Sequence, residues 1–346
     1  MERKILRRTT WWFSILTILM CASLYFMPDI KDGIAIAAEI MPGVLSQETN
    51  IIIDNNQLLS GKKLNIELPE GTAGKDVSIT NDYINNTIYV RFANGVDDYS
   101  ENYSVKGSSN HIANLSYYKD GEAGILEIKL DKACEHFYSY QGNFLCVELK
   151  ELHEVYEKVI VIDAGHGGRM PGAVKKGIKE KDLNLGIVKQ LKELLDDVDE
   201  KKIKVFYTRL EDVNPSLAER VDMANRLEAD LFISVHNNAS ASGQFNNYSG
   251  TMVLYSPEEP GDPEKSMRLS EICLENVNAS TGSRRLGLVK ADDIYIVRNS
   301  EVPVALIEVG YMTNTEELNK LCDPAYQKKA AQGIYNAIMQ AFEEGF

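Results

Sequence analysis

Two periods of apolar and polar residues divide the chain. Between Asn50 and about Lys150 the two kinds alternate or nearly so, in Leu64-Asn-Ile-Glu-Leu68, Ile88-Tyr-Val-Arg-Phe92, Ile125-Leu-Glu-Ile-Lys-Leu130 and Phe144-Leu-Cys-Val-Glu-Leu149. Side chains of a strand point to opposite faces in turn, so this period predicts strands with one buried face. Turn residues separate the runs: Pro69-Glu-Gly71, Asn85-Asn86, Asn94-Gly95, Asp120-Gly121 and Gln141-Gly-Asn143. No helical stripe of useful length interrupts them, and residues 50–152 are expected to form a small all-β, sandwich-like domain.

From about residue 155 the pattern changes. Val159–Asp163, Ile203–Thr208, Leu231–His236 and Val304–Glu308 are short continuous apolar runs, as in strands covered on both faces. Helical stripes lie between them. Leu183, Ile187, Leu191, Leu194, Leu195 and Val198 mark the first, and Ser216-Leu-Ala-Glu219 is a capping box opening the second, with Leu217, Val221, Ala224 and Leu227 inward. Pro263–Val277 and Ala325–Phe342 supply two more, and Gly250–Tyr255 and Ile294–Val297 read as further strands. Strand–helix alternation predicts an α/β domain over 155–346, an open, mostly parallel twisted sheet flanked by helices.

The N-terminus adds a third region. Trp11–Met27 is free of charge and follows Arg3, Lys4, Arg7 and Arg8. A short apolar run behind a basic flank predicts a membrane helix at 1–28 with the body outside the cytoplasmic membrane, and 29–49 as a linker. Ala35-Ile-Ala37 is the alternative, a cleavage site that would release a secreted protein. The first ten residues carry +3 of a net charge of −14 over 346 residues, so the remainder stands at −17. Such an acidic body excludes nucleic acid as a partner, because phosphate binding requires a basic face. The five cysteines (21, 134, 146, 273 and 322) show no paired metal-site spacing. Cys134 and Cys146 either face each other across a hairpin or are small buried hydrophobes.

Chemistry concentrates where the apolar runs end. His166, His236 and Glu308 fall at or just after the C-terminal ends of predicted strands, the edge of an open α/β sheet where ligands gather. Glu180 precedes the Leu183 helix and can swing over the same edge. Two His and one carboxylate make the open ligand set of a catalytic zinc, and a second carboxylate remains to handle protons. Asp163 either supports His166 or ends its strand. Gly165-His-Gly-Gly168 lacks both the Lys-Ser/Thr of a P-loop and the spacing of a dinucleotide site, and no nucleophile elbow surrounds Ser234.

These residues closely resemble the zinc-dependent N-acetylmuramoyl-L-alanine amidases of bacterial peptidoglycan. The resemblance lies in Asp163-Ala-Gly-His166-Gly-Gly168, Glu180, Ser234-Val-His236-Asn-Asn238 and Glu308-Val-Gly-Tyr-Met-Thr-Asn314. Thr208-Arg209, Arg220 with Ala224-Asn225, and Ala229-Asp230 support it, and it covers about 158–344. Residues 50–150 resemble, more weakly, the β-rich wall-targeting domains that precede some such amidases. The resemblance implies that His166, Glu180 and His236 hold Zn2+ and that Glu308 is the catalytic acid/base. It also implies cleavage between N-acetylmuramic acid and L-alanine, with peptidoglycan as the partner. Asn238 and Arg285 are candidate substrate contacts, Arg285 for a stem-peptide carboxylate. The β domain is expected to bind the wall or an unidentified protein. Two other readings remain: a non-catalytic wall-binding scaffold, and a zinc peptidase cutting elsewhere in the stem peptide. Some relatives carry an inhibitory helix between the second His and the last Glu. The 71 residues between His236 and Glu308 are already filled by the expected strand, helix and strand, so no such plug is expected.

Overall fold

The computed structural model describes residues 49–50, 63–107, 111–199 and 202–346. The expected membrane segment and most of the linker lie outside these residues. Among the described residues, no helix is long and apolar enough to cross a membrane. Residues 50–346 group as one unit.

The alternating segment forms two antiparallel sheets. In one, β1 (Thr49–Asn50), β6 (Ile112–Asp120), β7 (Ala123–Leu130), β4 (Thr87–Phe92) and β3 (Val77–Asp82) lie side by side. In the other the order is β5 (Val105–Gly107), β2 (Lys63–Glu67), β9 (Phe144–Glu151) and β8 (Cys134–Gln141). Leu64, Ile66, Ile88, Val90, Phe92, Leu126, Ile128, Leu145, Val147 and Leu149 share one core between them. The short helix α1 (Tyr99–Asn102) adds Tyr99, which is fully buried and stacked on Phe92 and Tyr117. Cys146 lies opposite Ser139 and Cys134 opposite Glu151, so the two cysteines do not face each other. Both are buried free thiols, the second of the two alternatives.

After α2 (Leu152–Val155) the chain builds a six-stranded sheet. Its order is β13 (Ile203–Tyr207), β10 (Lys158–Ala164), β14 (Leu231–Asn238), β17 (Val304–Tyr311), β15 (Thr251–Tyr255) and β16 (Arg285–Lys290). The first four strands run parallel, and β15 runs antiparallel to β17. Between β10 and α3 a two-stranded hairpin intervenes, β11 (Val174–Lys175) with β12 (Ile178–Lys179). One face of the six-stranded sheet is covered by α3 (Glu180–Leu195), α5 (Pro263–Thr281), α7 (Thr315–Leu321) and α8 (Pro324–Glu343). The other is covered by α4 (Leu217–Arg226) and α6 (Tyr295–Arg298). The capping box of α4 forms as expected: Ser216 Oγ accepts from the Glu219 amide at 3.2 Å, and the Glu219 carboxylate accepts from the Ser216 amide at 2.6 Å.

Ile294–Val297, expected as a strand, is instead mostly helix α6. Four residues are too few for periodicity to separate a strand from one helical turn. The strand beside β15 is Arg285–Lys290, whose exposed edge position leaves it little apolar character. Helix α5 packs on α8 and the sheet, and α6 packs on α4.

The β-rich layer joins the second face of this sheet. Ala133 and Leu152 enter the same core as Val159, Phe206, Val221 and Leu227. Tyr83 meets Phe206 edge-on at 4.9 Å between ring centroids, and Arg226 Nη1 donates to the Ile84 carbonyl at 2.7 Å. Lys132 adds an ion pair to Glu228 at 3.3 Å.

Candidate metal centre and its support

Side-chain alternation assembles the site. Val159, Val161 and Phe232, Val304, Leu306 all face the α4 side of the sheet. Continuing at period two from each run puts Asp163, Ser234, His236 and Glu308 on that same side. Register brings them together across strands: Asp163 pairs with Ser234, and His236 with Glu308. His166 lies two residues beyond β10, and Glu180 opens α3, reaching the same edge.

Glu180 Oε1 lies 3.1 Å from His166 Nε2 and 3.0 Å from His236 Nδ1. The two imidazoles stand nearly perpendicular, with centroids 4.9 Å apart. One ligand atom from each residue falls within 4.8 Å of the others, so the trio can hold a metal ion. Two nitrogens and one carboxylate oxygen at the open end of a sheet fit a site with one position left for water or substrate. Burial works against ionised Glu180, but the bonds from His166 and His236 outweigh it and hold its carboxyl well below the usual range. Two glycines allow this closeness. A Cβ on Gly165 would stand 2.2 Å from the His236 ring, and one on Gly172 would stand 2.4 Å from Glu180 Oε2.

The supports of the trio were not visible as site residues in the sequence. Asn184, one turn after Glu180, donates to Glu180 Oε1 at 3.4 Å and to the Gly165 carbonyl at 3.1 Å. Its Oδ1 accepts from Asn237 at 2.7 Å, and the Asn237 amide donates to Glu180 at 3.3 Å. An Asn at the i+4 position of Glu180, inside an otherwise apolar stripe, is the one signal available.

Asp163 does not end its strand, since β10 runs on to Ala164, and it reaches His166 through an intermediary. Its carboxylate accepts from Ser234 Oγ at 2.6 Å, from Thr208 Oγ1 at 2.5 Å and from Arg220. Arg220 then donates to the Ala164 carbonyl at 2.9 Å and to the His166 carbonyl at 2.8 Å. Arg209 is buried beside it and donates to the carbonyls of Ala164, Gly165 and Lys181 at 2.7–2.9 Å. Two guanidinium forks thus fix the backbone of a loop in which His166 itself has φ +60°. That left-handed conformation costs about 1 kcal/mol or more for a residue with a Cβ, so it persists only where the surroundings hold it.

Glu308 is partly exposed, yet its Oε2 is enclosed and has no hydrogen-bond partner among the described residues. Burial pushes its carboxyl up to about 7, with Glu180 adding to the rise and His236 opposing it.

The two candidate substrate contacts differ. Asn238 stands at the end of β14, where its carbonyl accepts from Met312 at 2.7 Å and its Nδ2 faces Met252 Sδ at 3.4 Å. Arg285 opens β16 at the same sheet edge, paired in register with Thr251, while Met252 pairs with Glu308. It is exposed, lies 4.0 Å from Glu275 and does not touch the trio.

Comparison with known proteins agrees with this arrangement. The family model described as N-acetylmuramoyl-L-alanine amidase matches residues 160–340. Protein YqiI of Bacillus subtilis, itself uncharacterized, is 35% identical over 187 residues, which span 54% of this chain and 86% of that protein. The germination-specific N-acetylmuramoyl-L-alanine amidase of the same organism is 30% identical over 201 residues, 54% of this chain and 81% of its own. Among solved structures, the N-acetylmuramoyl-L-alanine amidase from Clostridium difficile 630 superposes with a TM-score of 0.51 at 29% identity, covering 55% of this chain and 98% of that one. With the motif residues converging as described and half the chain matched, this protein belongs to the N-acetylmuramoyl-L-alanine amidase family, whose members hydrolyse the bacterial cell wall.

Proposed function

We propose that this amidase works with a zinc ion held by His166, Glu180 and His236, and with Glu308 as its acid/base, on the bond between N-acetylmuramic acid and L-alanine in peptidoglycan. The observation that carries the reading is a two-His, one-carboxylate set beside an enclosed carboxylate oxygen with no partner. Zinc, when bound, supplies Lewis acidity toward water and the amide carbonyl. Glu308 supplies the proton traffic. A carboxyl near pKa 7 takes a proton from water and returns it to the leaving nitrogen of L-alanine at neutral pH. Arg220 and Arg209 keep His166 in position, and Asn184 and Asn237 orient Glu180. Arg285, exposed at the same edge, is the proposed contact for a stem-peptide carboxylate.

Chelation of the protein, or His236→Ala, should remove bound zinc and activity together, and zinc should restore only the chelated wild type. Metal analysis alongside mass analysis of digested muropeptides reads both. An amidase releases intact peptide from intact glycan. Cleavage within the peptide would replace this reading with a zinc peptidase, and no cleavage by the zinc-loaded protein would leave a wall-binding scaffold.

The β-rich layer is proposed to hold the enzyme to the wall or to a protein partner. Its edge strand β8 exposes Phe137, Tyr138 and Tyr140. Trp11–Met27, behind its basic flank, is proposed as an anchor that leaves the body outside the cytoplasmic membrane. Protease added to intact, wall-stripped cells should then digest residues 50–346, and full protection would refute this topology.

A further inference from the structure

A second concavity lies on the sheet edge beyond Glu308. It is a cleft of about 530 Å³ between the loop after β14 and the start of α7. Phe245, Asn246, Asn247, Ser249, Asn314 and Thr315 line it, and Glu316 is the one ionisable group on its wall. The proposed mechanism uses none of them.

Its hydrogen-bonding capacity is largely unspent. Asn247, Ser249 and Thr315 have no side-chain partner among the described residues. Asn314 uses only its Oδ1, which accepts from the amides of Glu316 and Glu317 at 2.9 and 3.2 Å. Phe245 is 44% exposed, a large ring left in water at the mouth of a polar cleft. Lys176 Nζ lies over that ring at 5.2 Å but does not line the cleft.

The cleft is fixed to the strand that carries Glu308. The Asn246 amide donates to the Thr313 carbonyl at 2.8 Å, and the Ser240 amide to Thr313 Oγ1 at 3.1 Å. The Tyr248 ring lies 6.0 Å from that of Tyr311. Tyr311 is three residues past Glu308, or about 10 Å along an extended strand. On the amidase reading, a ligand here would be part of the polymer being cut, displaced along it.

We infer that this cleft binds a neutral N-acetylated amino sugar of the glycan strand, next to the muramic acid residue that is cleaved. The inference rests on the amidase reading. Amide and hydroxyl side chains match the hydroxyl and acetamido groups of such a sugar, and an exposed ring suits its apolar face. A stem peptide bears free carboxylates, and the cleft offers them Glu316 and no cation.

The test uses the full, zinc-loaded protein and two substrates with the same scissile bond. One is a single N-acetylmuramic acid bearing the stem peptide, and the other a longer glycan bearing it. Phe245→Ala and, separately, Asn247→Ala should raise KM for the longer glycan about tenfold, the worth of one lost contact, and leave kcat and the single-sugar substrate unchanged. Binding of β-1,4-linked N-acetylglucosamine oligomers should weaken in parallel, while circular dichroism stays that of wild type. An equal loss on both substrates, no loss on either, or an effect that follows peptide length would overturn the proposal. Wild type inactive on both substrates would instead count against the amidase reading.

Discussion

Glu308→Gln should retain stoichiometric zinc and lose about 10²–10⁴ in kcat, the usual worth of general acid–base help. The side chain lies one strand from His236, in register with it, and is outside the trio whose ligand atoms converge. An amide of nearly the same shape fills the space but cannot accept the proton. Metal content therefore separates this role from that of a ligand. A variant that lost its zinc would make Glu308 a ligand, and one that kept wild-type turnover would remove it from the chemistry. The pH profile gives a second check. Burial places the carboxyl near 7, and only the ionised form is a base. A nearby cation favours that form, so the acidic limb of kcat/KM should lie at or below pH 7, with activity falling as pH falls through it. The residual activity of Glu308→Gln should lack this limb.

How far the sequence disclosed this arrangement depends on burial. Strands β10, β14 and β17 are covered on both faces, so their continuous apolar runs stood out, and the polar residues ending them marked the site. Register was implicit in the same runs. Asp163, His236 and Glu308 each lie an even number of residues from a buried apolar neighbour on one face, which forces them to share it. The edge strands β3 and β8 were illegible for the converse reason. β3 reads Val-Ser-Ile-Thr-Asn-Asp and β8 exposes most of its length, so neither shows a sustained apolar face. The shared core between Ala133, Leu152 and the amidase sheet was also hidden, since small and isolated apolar residues carry no period. A chain beginning at Val155 would lack Ala133 and Leu152 and so uncover part of the core around Phe206 and Leu227. Arg209 and Arg220 stood out as matches to the family pattern, but their part as loop clamps did not. Arg209 and Arg220 spend most of their donors on backbone carbonyls, and nothing in an arginine's sequence position says which carbonyl it will meet.

The largest stability effect should follow from that clamp. Arg220 and Asp163 have side chains 2% and 0% exposed and form a direct ion pair. Arg220→Met keeps the length of the side chain but leaves Asp163 charged and buried, with only Ser234 and Thr208 to hold it. Breaking a buried pair from one side costs about 3–5 kcal/mol, because the remaining charge stays desolvated. Burial raises the Asp163 carboxyl, and Arg220, Ser234 and Thr208 together outweigh it, so in the wild type its pKa is depressed. A depressed carboxyl contributes stability above its unfolded value of about 3.9 and loses it as pH falls through the folded one. Without Arg220 the largest opposing influence is gone and burial dominates, so the sign reverses. The variant should be least stable relative to wild type near pH 8, and the deficit should narrow toward pH 5. Adding Asp163→Asn to Arg220→Met removes the stranded charge and should recover part of the loss. Zinc retention should not recover with it, because Arg220 also holds the His166 carbonyl and no other side chain takes that place. Urea unfolding of wild type and the two variants at two pH values, with metal analysis of each, reads all of this. A single variant within 1 kcal/mol of wild type at pH 8 would show that the pair is dispensable to the fold, and a double variant no more stable than the single would show that the stranded charge is not what destabilises it.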